Sequence, residues 1–92
     1  MALELEELTG KIIGAAIEVH RQLGPGFIES IYENALVYEL GRRGLKVQQQ
    51  LEVPIHYDGR IEVGKHRLDL LVEDEIVVDL KASANYWMFT LP

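Results

Sequence analysis

The stretch Arg67–Ala82, RLDLLVEDEIVVDLKA, places two aspartates and a lysine inside otherwise β-branched and leucine-rich runs. Aspartate is a poor strand residue and a buried unpaired carboxylate is costly, so Asp69 and Asp79 need a physical reason to be there. Period-two spacing puts Arg67, Asp69 and Leu71 on one face of the first run and Val77, Asp79 and Lys81 on one face of the second. Residues directly opposite in an antiparallel pair point the same way. A three-residue connection, Glu73-Asp74-Glu75, would therefore set Asp69 against Asp79. Two carboxylates so placed repel each other unless a cation sits between them.

Written as a pattern, the stretch is D-x9-D-x-K: Asp69, nine residues, then Asp79-Leu80-Lys81. Two carboxylates and the Leu80 backbone carbonyl make an oxygen-rich pocket for a hard cation, with Mg²⁺ the expected ion and Mn²⁺ the substitute. Lys81, on the same face as Asp79, can orient or help deprotonate an attacking water. That chemistry is metal-assisted phosphodiester hydrolysis.

Upstream the period is helical. Thr9 is the expected N-cap of a first helix with Ile12, Ile13, Ala16, Ile17, Val19 and Leu23 at three- to four-residue spacing. Gly24-Pro25-Gly26 breaks it. A second helix is expected from Ile28 to Arg43, with an apolar stripe of Ile28, Ile31, Tyr32, Ala35, Leu36 and Leu40. Gly44 suits its C′ position and Leu45 the hydrophobic follow-on. From Val47 the period changes to two: Val47, Gln49, Leu51, Val53 and Ile55 share a face, and Pro54 marks an edge or a strand end. Asp58-Gly59 signals a turn, and strands are expected over Lys65–Val72 and Ile76–Ala82.

The 92 residues make one domain, which buries only ~60–65% of the surface its unfolded chain exposes. With no cysteine, neither a disulfide framework nor a thiolate zinc site is possible, which fits a reducing cytoplasm. No apolar run approaches the ~20 residues of a membrane-spanning helix, and the acidic start MALELEELTG lacks the features of a signal peptide. A net charge of −6 argues against holding nucleic acid by a broad basic surface. It leaves room for an enzyme whose metal ions meet the phosphates locally.

Gly26-Phe27-Ile28-Glu29-Ser30-Ile31-Tyr32 and its surroundings, TGKIIGAAIEVHRQLGPGFIESIYENAL, together with the Asp69–Lys81 hairpin, carry a resemblance. Over about residues 8–82 the chain resembles the GxxExxY protein family, a branch of the PD-(D/E)XK nuclease superfamily. The resemblance implies an α+β fold: two N-terminal helices packed on a mostly antiparallel sheet, an incomplete restriction-endonuclease-like core. It implies Asp69 and Asp79 as metal ligands, Lys81 as the motif lysine, and Glu29 as the helix glutamate directed at the metal or its waters. The substrate it implies is nucleic acid, DNA ahead of RNA. After Lys81 the chain reads ASANYWMFTLP, unlike the family's next helix, so residues 83–92 are expected to be an atypical tail on a truncated core. The sheet edge beside the catalytic strand would then pair with another copy, or Tyr86, Trp87, Met88 and Phe89 would fold back over it.

Each assignment has a plainer counterpart. Asp69 and Asp79 fit a solvated sheet face with Lys81 paired to one of them, and Glu29 in a helix's first turn fits dipole complementation alone. Glu33 is the alternative working carboxylate, and Tyr32 reads as a core or rim residue. Arg67 suits either a phosphate or a salt bridge with Asp69. Gln48, Gln49 and Gln50 suit either base contacts or a solvated strand. Arg42, Arg43 and Lys46 are too few for a nucleic-acid footprint, and His20, His56 and His66 lack ligand spacing. The alternative to a nuclease is an inactive, oligomerising interaction module or a truncated remnant.

Overall fold

The computed structural model describes residues 4–81 and 86–90, the side chains of residue 81 and residues 86–90 excepted. Helix α1 (Leu5–Leu23) starts one turn before the expected Thr9 cap. The early start carries Leu8 into the core; of the expected stripe Ile12 and Val19 are buried and Ala16 and Leu23 pack against the core, but Ile13 and Ile17 point to solvent and Ala15 is buried instead. Gly24 ends the helix at φ 70°, a left-handed conformation that glycine adopts without strain.

Helix α2 (Glu29–Arg42) buries Tyr32, Glu33, Leu36, Glu39 and Leu40, while Ile28 and Ile31 remain exposed. Its C-terminus is a Schellman motif. The Leu45 amide donates to the Leu40 carbonyl at 3.1 Å and the Gly44 amide to the Gly41 carbonyl at 3.0 Å. Gly44 has φ 80° and Leu45 is buried, as the sequence leads one to expect.

Four strands follow, β1 (Val47–Tyr57), β2 (Ile61–Val72), β3 (Ile76–Lys81) and β4 (Tyr86–Thr90), in the spatial order β1-β2-β3-β4 and antiparallel throughout. Pro54 lies on β1, an edge strand, where its missing donor costs least. Strand β2 begins four residues earlier than expected because it pairs with β1 out to Tyr57↔Ile61, around a turn with Asp58 at φ 57° and Gly59 at φ 65°. The arm so formed is exposed from Pro54 to Arg67.

Leu70, Val72, Ile76, Val78 and Leu80 alternate onto one sheet face and form a single core with Leu8, Ile12, Ala15, Val19, Tyr32, Leu36 and Leu40 of the helices. The architecture is α+β, two helices on an antiparallel sheet. Residues 86–90 pair with β3 from Val77↔Thr90 to Lys81↔Tyr86, so their backbone covers the β3 edge. The packing expected of the Tyr86–Phe89 side chains lies outside the described residues.

Candidate functional site

Three residues, Glu73-Asp74-Glu75, connect β2 to β3, and the register is Val72↔Ile76, Leu71↔Val77 and Leu70↔Val78. The next positions on the two strands are Asp69 and Asp79. The ladder stops there, and the Asp69 carboxylate takes up a backbone bond instead: the Leu80 amide donates to Asp69 Oδ2 at 3.1 Å. A carboxylate in that position satisfies a strand amide and leaves its second oxygen available. Both aspartates are half-buried, on the sheet face away from the helices.

The far end of this hairpin is pinned to the entrance of β1. The Glu73 amide donates to the Lys46 carbonyl at 2.8 Å, and the Lys46 amide donates to the Glu73 carboxylate at 2.5 Å. Lys46 Nζ also reaches Asp74 at 3.1 Å. Glu73 and Asp74 adopt φ 54° and 58°, a costly conformation for residues with a Cβ, and these contacts hold them in it.

No ion pair reaches either Asp69 or Asp79 among the described side chains. Of the two alternatives for Arg67, the salt bridge with Asp69 is therefore not made, and Arg67 is exposed. The pairing of Lys81 with an aspartate lies outside the described side chains. Glu29 is exposed in the first turn of α2, the helix that covers the opposite sheet face. Among the described residues, no group of three or more histidine, aspartate or glutamate side chains stands close enough to share an ion. The donor set expected from the sequence is two carboxylates and a backbone carbonyl. That suits a hard cation that keeps several waters, as Mg²⁺ does.

Glu33 faces inward and has a different task from a metal ligand. Its buried carboxylate accepts Gln49 Nε2 at 2.6 Å and Gln50 Nε2 at 2.9 Å on both oxygens. Gln49 also donates to Asn34 Oδ1 at 3.0 Å. Both glutamines are exposed, but their amide groups are turned to Glu33 and so are engaged rather than free for bases. Nothing in the sequence reveals this contact, because period two alone sends neighbouring glutamines to opposite faces. Gln50 escapes that rule by taking φ 55° in mid-strand.

Tyr32, the last residue of the GxxExxY stretch, is 2% exposed. Its hydroxyl donates to the Gly24 carbonyl at 2.6 Å and accepts from the Phe27 amide at 3.2 Å. It fixes the loop that feeds Glu29 into α2 and is a core residue. The basic cluster is also structural: Arg42 and Arg43 pair with Glu39 at 3.5 and 3.3 Å, and Lys46 with Asp74.

No helix among the described residues is long and apolar enough to cross a membrane. Neither the curated proteins nor the solved structures include a match to this chain. A family model described as the PD-(D/E)XK nuclease superfamily matches residues 6–87. That span takes in both helices, the β2–β3 hairpin and the D-x9-D-x-K pattern, and the chain belongs to the PD-(D/E)XK nuclease superfamily.

Proposed function

We propose that the protein is a divalent-metal-dependent nuclease-like phosphodiesterase of the GxxExxY branch, acting on nucleic acid with DNA ahead of RNA. The observation that supports it most is the opening of the β2–β3 ladder at Asp69, where two half-buried aspartates follow the last pair on facing strands with no ion pair among the described side chains. In this reading Asp69, Asp79 and the Leu80 carbonyl hold Mg²⁺ or Mn²⁺, and Glu29, exposed on the helix that covers the opposite sheet face, is not one of the groups that serve the ion. When bound, the ion supplies Lewis-acid polarisation of a phosphoryl oxygen and neutralises the leaving oxygen.

The chain's own residues do the remaining work. Asp69 is oriented by the Leu80 amide, so one carboxylate oxygen is fixed and the other is presented to a ligand. Lys81, two residues beyond Asp79, orients the attacking water and accepts or relays its proton. Lys65 and Arg67 precede Asp69 on the same strand face, exposed and without an ion pair among the described residues. They are the phosphate contacts of this reading, which lets an acidic chain meet its substrate locally.

Calorimetry with Mg²⁺ and Mn²⁺ on the wild type and on Asp79→Ala tests the reading, followed by cleavage assays on single- and double-stranded DNA and RNA. Saturable binding of one or two ions that Asp79→Ala abolishes, with metal-dependent cleavage, is the expected result. A folded wild type that binds neither ion would sink it and leave an inactive interaction module. Sedimentation of the same samples reports whether an exposed sheet edge makes a homo-oligomer. Fractionation of expressing cells tests the cytoplasmic location that goes with this reading.

A further inference from the structure

Strand β1 pairs with β2 at Gln49↔Leu70 and again at Leu51↔Leu68, so the residue facing Asp69 from that side is Gln50, and this one pair is skipped. Gln50 is the only described strand residue with positive φ, and its amide is drawn to the buried Glu33 of α2 by bonds of 2.9 Å to each oxygen. Asp69 thus has an opened ladder on both sides, toward Gln50 on β1 and toward Asp79 on β3. A regular strand would close the first gap by turning Gln50 to the far face. Glu33 prevents this because a buried carboxylate without its donors is expensive, and Gln49 and Gln50 are the donors it has.

We infer that Glu33 and Gln50 are positioning residues for Asp69: the clamp between them holds β1 open opposite Asp69, leaving its carboxylate to settle on the Leu80 amide and to face a cation. The metal part of this inference rests on the function proposed above; the geometric part does not. Glu33 acts through Gln50 and the β1 backbone and touches no ligand. It therefore contributes to the site from the opposite sheet face, in a way that carboxylate clustering does not reveal.

The test uses the whole chain and two readouts. One is hydrogen exchange of the Leu80 amide in the metal-free protein; the other is Mn²⁺ affinity by calorimetry. In Gln50→Ala, the Leu80 amide is expected to exchange at least about tenfold faster relative to the Val78 amide of the same protein, which corrects for the lower melting temperature that losing one Glu33 donor brings. Mn²⁺ affinity is expected to fall about 10–100-fold, the range for residues that orient metal ligands. The exchanged pair Glu33→Gln with Gln50→Glu rebuilds the amide–carboxylate bond with its polarity reversed and is expected to restore both readouts. Unchanged Leu80 exchange in folded Gln50→Ala would overturn the inference, as would a folded exchanged pair that restores neither readout. If the wild type binds no Mn²⁺, the proposed function fails and Leu80 exchange alone decides the geometric inference. If Gln50→Ala does not fold, Gln50→Gly is read instead: it keeps the left-handed backbone accessible without the amide, its Leu80 amide is expected to exchange faster than in the wild type, and wild-type exchange there would overturn the inference.

Discussion

The Asp69 carboxylate accepts the Leu80 amide at 3.1 Å, replacing a rung of the β2–β3 ladder with a side-chain bond one residue from Asp79. One side chain thus has two separable roles, a structural one through Oδ2 and a ligand role through the other oxygen. Asp69→Asn keeps an acceptor for Leu80 but loses the charge. It should fold with nearly unchanged stability while losing metal affinity by at least about 100-fold, beyond what outer partners cost. Asp69→Ala removes both roles, and denaturant unfolding should show a further loss of about 1.5–3 kcal/mol, the range for a hydrogen bond to a charged group. Equal stability of the two variants would remove the structural role.

Tyr32 closes the Gly24–Phe27 loop through one hydroxyl that both donates and accepts. Tyr32→Phe leaves a carbonyl and an amide without that partner, for a destabilisation of about 1–2 kcal/mol. For a domain this small each kcal/mol is worth about 4–8 °C of melting temperature, so a scanning calorimeter resolves the change.

Gly10 is exposed within α1, and a Cβ built there meets nothing within 4 Å. Gly10→Ala should therefore stabilise the fold by about 0.5–1 kcal/mol, through the lower backbone entropy of the unfolded chain. Denaturant titration with an unchanged slope is the check.

Glu18 accepts two bonds from Arg21, at 3.0 and 2.6 Å, and a third from Gln22. The Arg21 hydrogen bonds, then the Gln22 bond, lower its pKa from 4.5 to about 2. The folded value lies below the unfolded one. The pair's stabilisation is therefore present above the unfolded pKa and is lost as pH falls through the folded one. Carbon-detected titration should find Glu18 still ionised at pH 3 in the wild type and returning toward the ordinary carboxylate range in Arg21→Ala. Since Arg21 is exposed, the two proteins should show nearly the same thermal stability at neutral pH.

The two helices, the first three strands and the β2–β3 hairpin were legible in local sequence preferences, though not where α1 and β2 begin. The change from helical to period-two spacing at Val47, the Gly44-Leu45 cap and the Asp58-Gly59 turn are local preferences, and local preferences survive folding. The three-residue span Glu73–Glu75 likewise carried the Asp69–Asp79 register, because parity in a hairpin follows from loop length alone. Which apolar stripe of α1 turns inward was undecided locally: Ile13 and Ile17 are as apolar as Leu8 and Ile12, and only contact with α2 and the sheet chose between them. The roles of the helix carboxylates were undecided for the same reason. Glu29 and Glu33 share a helical face four residues apart, yet one ends in solvent and the other is buried on two glutamines sixteen and seventeen positions away. That contact, with the mid-strand turn of Gln50 it enforces, depends on where α2 rests on the sheet, and only the tertiary structure sets this.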